Sequence, residues 1–381
     1  MLFVLDTSLS GFAFQRNLPS SVLTGLDMLT LGFREGRHIL AGPRQTLDAL
    51  LKINGLQPNT RVALRMAKER FPQLMALPAQ YEHYVMVMPD SSGPLRRVQY
   101  GGRQVTEAPI SHFSNSGKIQ NVVVLGEHAK DAEITMLMAR FYKSRNRLNG
   151  IPVRPDLRCG AGSNVIAHYE QLRDNRERFS LTIVDSDKKC PGGAVGGTAR
   201  TILNAHAAGG NPPMMEIFIL DCHEMENALP DKFYEQAFSR SADHFDSVEF
   251  LKRLTDAGEH EVRRFIDIKK GKSLLDILTT PANSPEAAFW NAKLAKLKQL
   301  SPLVPQHDVD CTRYQVCQNP ADCRCWFLKP NGSNVLEKAA ELLPKWGSQD
   351  WNSLGAECLH MWQRLGRIVF EWCSGWSFSS S

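Results

Sequence analysis

The chain has 381 residues, 43% of them hydrophobic, which is enough for two or three domains with substantial cores. Its 45 Lys and Arg barely exceed its 40 Asp and Glu, so bulk charge does not mark a nucleic-acid binder and any such contact must rest on local clustering. No apolar run reaches membrane-span length, Met1 to Asp6 lacks the basic region of a signal peptide, and nine cysteines without a secretion signal predict a reducing cytoplasm rather than a disulfide framework.

Residues 1–118 read as an N-terminal α/β domain. A strand at Leu2 to Leu5 ends on Asp6, and helical stretches follow near Leu23 to Leu31, Leu47 to Ile53 and Val62 to Arg70. A strand at Tyr84 to Met88 leads into the turn residues Pro89-Asp90-Ser91-Ser92-Gly93. The polar run Ser111 to Lys118 has the composition of a linker. Asp6, Asp48 and Asp90 look faintly like the acids of a PIN-type nuclease, but a scaffold or docking domain is the preferred reading of this zone.

Residues 119–245 alternate strand and helix, the pattern of a mostly parallel α/β sheet. Asn121 to Leu125 is a continuous β-branched run, as expected of a strand buried on both faces. Ile134, Leu137, Met138 and Phe141 then mark a helix that Asn149-Gly150 can end. Val165, Ile166, Tyr169 and Leu172 suggest a second helix, followed by a strand at Leu181 to Val184, a helix near Ala199 to His206 and a strand at Ile217 to Leu220. Residues 246–381 read as a mainly helical C-terminal domain holding all seven tryptophans.

Carboxylates stand where the chain leaves the buried strands of the central zone. Glu127 and Asp131 follow the first, Asp185 and Asp187 a later one, and Asp221, Glu224 and Glu226 the last. In a parallel α/β sheet ligands bind at the carboxyl ends of strands, so these acids are expected to converge. Clustered carboxylates raise one another's pKa unless a counter-charge is present. Mg²⁺, with Mn²⁺ as a substitute, is the expected one, and a two-metal arrangement would suit phosphoryl displacement.

Val123-Val-Leu-Gly-Glu127-His-Ala-Lys-Asp131, Ile183-Val-Asp185-Ser-Asp187 and Glu224-Met-Glu226-Asn227 resemble the TOPRIM domain, over about a third of the chain. The likeness is to solitary TOPRIM nucleases of phage defence, those of the overcoming-lysogenisation-defect type and effectors paired with a separate ATPase. The resemblance implies a TOPRIM-like catalytic domain with Glu127, Asp185 and Asp187 as Mg²⁺ ligands, and supporting roles for Asp131 and Glu226. It implies nuclease activity as a toxic antiviral effector. His128 departs from the glycine usual after the family's glutamate.

Several features are assigned around this centre. Lys188, directly after the Asp-x-Asp, is a candidate for neutralising developing charge. Gly160 and Gly162, before the second helix, are candidate phosphate-binding backbone, with a plain tight loop as the preferred reading. Arg145, Arg147, Arg154 and Arg158 are the candidate nucleic-acid track, with DNA or RNA left open. Cys311, Cys317, Cys323 and Cys325 match a four-thiolate structural Zn²⁺ site or a set of free thiols. Gly271-Lys272-Ser273 is not a P-loop, because Ile266 stands where its first glycine belongs, so an ATPase or sensor would be a separate protein. The oligomeric state is open, a homodimer included. The alternative function is a non-catalytic scaffold whose acidic cleft is degenerate.

Overall fold

The computed structural model describes residues 1–238, 241–303 and 325–376. By packing it divides into two units, Met1–Thr182 with Ile202–Phe218 and Gln363–Ser381, and Ile183–Thr201 with Ile219–Trp362. The expected zone boundary at 118 lies inside the first unit. Among the described residues no helix is long and apolar enough to cross a membrane.

The first unit carries two sheets. One is built from β1 (Leu2–Leu5), β2 (Ile39–Ala41), β3 (His83–Met88), β4 (Arg96–Tyr100) and β5 (Arg103–Pro109), in the order β2-β1-β3-β5-β4. The first four strands in that order run parallel, and β4 joins β5 as an antiparallel hairpin. Its two-residue turn, Gly101-Gly102, has φ of 56° and 82°, and only a primed turn with both central residues left-handed matches the strand twist. The helix Ser20–Arg34 buries Val22, Leu26, Leu29 and Phe33, one stripe at helical spacing. Gly25 lies where a Cβ would come within 2.2 Å of the Ile110 carbonyl oxygen, so this crossing admits no side chain.

Ser111 to Lys118 is not a linker. Ile110–Ser114 and Ser116–Ile119 are 3₁₀ turns that bury Ile110, Phe113 and Ile119. Three apolar anchors among polar residues suffice to fix the segment.

The other sheet consists of β6 (Val123–Gly126), β7 (Asp156–Cys159), β8 (Ser180–Val184) and β9 (Met215–Ile219), in the order β7-β6-β8-β9, with β6 and β7 parallel. Helices Ala129–Arg145, Val165–Asn175 and Gly197–Ala208 connect these strands, as the alternation predicts. The first of them stops before Asn149-Gly150: Asn146 is its C-cap and Arg147 turns left-handed at φ 58°.

The second unit is mainly helical. Asp231–Phe238, Ala242–Asp256, His260–Phe265 and Pro285–Leu300 are its principal helices, with a two-stranded antiparallel pair, β10 (Lys272–Ser273) and β11 (Trp326–Leu328). Phe250, Trp290, Phe327 and Trp362 of the C-terminal zone are fully buried in this helical core, together with Phe233 and Tyr234 from the central zone.

Candidate metal centre

In the second unit the chain leaves β8 into Asp185-Ser186-Asp187. Asp185 is buried, and its Oδ1 accepts the Met225 amide at 3.0 Å. Asp187 sits in the left-handed region at φ 51°, with its amide donating to the His223 carbonyl at 2.9 Å. Gly196 packs so closely on it that a Cβ there would lie 2.1 Å from the Asp187 Oδ2. Ser186 Oγ donates to the Cys222 carbonyl at 2.6 Å, tying this turn to the segment after β9.

That segment supplies the next three polar groups. His223 is buried, its Nδ1 donates to the Lys188 carbonyl at 2.9 Å, and its Nε2 lies 3.5 Å from Asp267 Oδ2. Glu224 and Glu226 share Lys269, whose Nζ is 3.3 Å from Glu224 Oε2 and 3.2 Å from Glu226 Oε1. Glu226 is 0% exposed, and its Oε2 has no hydrogen-bond partner among the described residues. Asn227 closes the turn, donating to the Arg263 and Ile266 carbonyls at 3.0 and 2.7 Å.

The electrostatics follow from this crowding. Burial pushes the Glu226 carboxyl up to about 7; Lys269 opposes the shift and Glu224 adds to it. Burial works against the Lys269 ammonium, but Glu226, Glu224 and Asp185 outweigh it and hold it protonated. His223 is likewise penalised by burial, yet its hydrogen bond to Asp267 and the nearby Glu224 raise its pKa overall. Asp185, Glu224, Glu226 and Asp267 thus crowd around Lys269 and His223, with Lys270 4.0 Å from Asp267 at the exposed side, so the carboxylates outnumber the cations near them.

Ligand atoms of His223, Glu224 and Asp267 lie within 4.8 Å of one another, close enough to share one ion. His223 has the orientation usual in a ligating imidazole, with one ring nitrogen held by a carbonyl and the other turned to the acids. The donors are otherwise hard carboxylate oxygens, the set that suits Mg²⁺ or Mn²⁺. The buried Glu226 Oε2 is an acceptor that such an ion would satisfy. His223, Asp267 and Lys269 also line a cleft of about 980 Å³ together with Lys189, Lys270 and Lys272.

The remaining candidates lie elsewhere. Glu127 and Asp131 belong to the first unit. Asp131 is buried and its Oδ2 accepts the His128 amide at 2.8 Å, capping the helix Ala129–Arg145. The loop Cys159 to Gly162 directs its amides inward: Gly160 and Gly162 donate to the Gly126 and Glu127 carbonyls at 2.9 and 3.0 Å, and Ala161 to Cys159 Sγ at 3.3 Å. A Cβ on Gly160 would meet Val165 Cβ at 2.3 Å. The phosphate cradle expected at Gly160 and Gly162 is therefore better described as a tight loop packed on its helix.

All four arginines of the basic track are exposed; Arg154 also donates to the Glu35 carbonyl at 3.3 Å and Arg158 pairs with Asp156 at 3.2 Å. Lys188 has a backbone role, its carbonyl holding His223 and its amide donating to Ser186 Oγ at 3.2 Å. Cys311, Cys317 and Cys323 lie outside the described residues, while Cys325 is half-buried and packs on the core.

Sequence reasoning missed Lys269 and Asp267. Ile266 and Ile268 are buried, so the period-two alternation turning Asp267 and Lys269 the other way was the available signal. No family model, curated protein or solved structure matches the chain.

Proposed function

We propose that the protein is a Mg²⁺-dependent nuclease of the TOPRIM type, cleaving phosphodiester bonds at the carboxylate cluster after β8 and β9. The observation that carries this reading is the charge imbalance around Glu226: a buried acid with an unsatisfied oxygen, beside further acids that Lys269 and His223 only partly offset. Such a cluster is unfavourable alone and becomes favourable with a divalent cation. His223, Glu224 and Asp267, with Asp185, Asp187 and Glu226 on the neighbouring turns, would hold the ion; the roles of Glu127 and Asp131 rest on the resemblance alone.

When bound, the metal supplies charge neutralisation and a water of lowered pKa. The protein's own part is to keep the acids in place. The Met225 amide orients Asp185, Gly196 leaves room for the Asp187 carboxylate, and Lys269 keeps Glu224 and Glu226 from expelling each other. Lys189, Lys270 and Lys272, around the adjoining cleft, would receive backbone phosphates of DNA or RNA.

The resemblance extends the proposal to a toxic effector of antiviral defence, restrained by a separate ATPase or sensor. All four arginines of the proposed track are exposed, and Arg154 and Arg158 already have partners in Glu35 and Asp156. One observation favours the non-catalytic alternative for the first-unit residues: Asp131 already has a structural use as a helix cap. Incubating the purified protein with mixed DNA and RNA separates the readings. Cleavage with Mg²⁺ or Mn²⁺ that chelator stops is expected, and intact substrate under all conditions would leave a binding protein.

A further inference from the structure

The first unit contains a cavity of about 340 Å³ between the C-terminal end of the helix Val165–Asn175, the loop Pro212 to Met215 and the turn carrying Lys118. Its volume is roughly ten water molecules at about 30 Å³ each, within the range of small-molecule sites. Leu172, Pro212, Pro213 and Met214 give it apolar walls. Every charged residue that lines it is basic: Lys118, Arg176 and Arg178.

The donors at this cavity are incompletely used. Arg178 spends its terminal nitrogens on Asp156, at 2.5 Å, and on the Asn121 carbonyl, but its buried Nε has no hydrogen-bond partner among the described residues. The buried His112 Nε2 has none either. Among the described residues the polar contacts of Lys118 Nζ are neutral, the Arg176 carbonyl and the Met214 sulfur at 3.7 Å.

We propose that this cavity binds a small organic oxyanion, an apolar ring bearing one phosphate or carboxylate. The ring fits the Leu172 and proline walls, and the anion meets the cations that line the cavity, Lys118 foremost, with Arg176 and Arg178 beside it. Burial lowers the Lys118 pKa, with Glu177 opposing and Arg176 adding to the effect, a strain that a bound anion relieves. Burial, then Lys118, pushes His112 down to about 4, so at neutral pH it meets the ligand as an uncharged imidazole. The site lies wholly in the first unit and stands or falls apart from the metal centre.

Calorimetric titration of the full chain with phenyl phosphate and with benzoate tests this, with phenol and inorganic phosphate as controls. Saturable binding of at least one aryl anion is expected, with phenol and inorganic phosphate each about tenfold weaker or worse, since a charge-assisted bond and the apolar wall both contribute. Lys118→Met should weaken binding by about tenfold or more, and Leu172→Trp, which fills the cavity, should abolish it while the protein stays folded. Phenol binding as tightly as phenyl phosphate would reduce the site to a generic apolar hole. Inorganic phosphate binding equally well, no heat from either aryl anion at millimolar concentration, or unchanged affinity in a folded Leu172→Trp variant would each overturn the proposal.

Discussion

Glu226→Gln should make the protein more stable at alkaline pH, an unusual outcome for removing a charge from an ion pair. Burial raises the Glu226 carboxyl from 4.5 to about 7. A carboxyl whose folded pKa exceeds its unfolded one binds its proton more tightly when folded, so its stabilisation is complete below the unfolded value and is lost as pH rises through the folded one. At about 1.4 kcal/mol per pKa unit the loss is about 3 kcal/mol. Glutamine mimics the protonated carboxyl and cannot ionise, so the variant should keep that increment at pH 8 and differ little from wild type at pH 4. Urea unfolding of both proteins in metal-free buffer across this range, followed by tryptophan fluorescence, measures the difference. Mg²⁺ should narrow it at pH 8 by stabilising the ionised wild type, through mass action on the folded state. If metal-free wild type is equally stable at pH 5 and pH 8, or Glu226→Gln is the less stable protein at pH 8, the electrostatic account of the cluster is wrong.

Four further outcomes are expected. Gly196→Ala should cut the proposed nuclease activity by about 100-fold, because its new methyl displaces the Asp187 carboxylate and small misplacements of a proposed metal ligand are costly; a cleavage assay beside circular dichroism reads this. Gly160→Ala should instead lower stability by about 1–3 kcal/mol through overpacking on Val165, with the folded fraction retaining its cleavage rate. Asp131→Ala should cost about 1 kcal/mol of stability as a lost helix cap, measured by thermal unfolding, and reduce activity less than loss of Asp185. Elemental analysis of protein purified without chelator should find about one zinc per chain if the four cysteines form a site, and Cys323→Ser should then unfold rather than selectively inactivate.

The central strands were legible because β6, β8 and the core helices carry continuous or strictly periodic apolar runs, such as Val122 to Leu125 and Ile134 to Phe141. Hairpin β4–β5 was not. Its strands carry Arg96, Arg97 and Gln99 on a half-exposed edge, where no apolar alternation develops, although Gly101-Gly102 was a readable turn. Polar letters likewise concealed Phe113 in Ser111 to Lys118.

For the site, Asp185 and Asp187 could be found because they directly follow the fully buried β8, and Glu226 because it lies in the acidic run after β9. Lys269 and Asp267 come from a distant segment that tertiary packing delivers, and no local spacing encodes that. Gly160 and Gly162 show the converse limit: the sequence announces a flexible loop but not where its amides point, and here they point at Gly126 and Glu127.

The central claim is that the acids after β8 hold a catalytic metal, and Asp185→Ala tests it most directly when cleavage rate and unfolding midpoint are measured on the same samples with and without Mg²⁺. Removing ligand charge should abolish Mg²⁺-dependent cleavage. The folded protein should persist, because relief of carboxylate repulsion offsets the lost Met225 contact. A folded Asp185→Ala protein that cleaves nucleic acid as fast as wild type would contradict the metal-centre assignment.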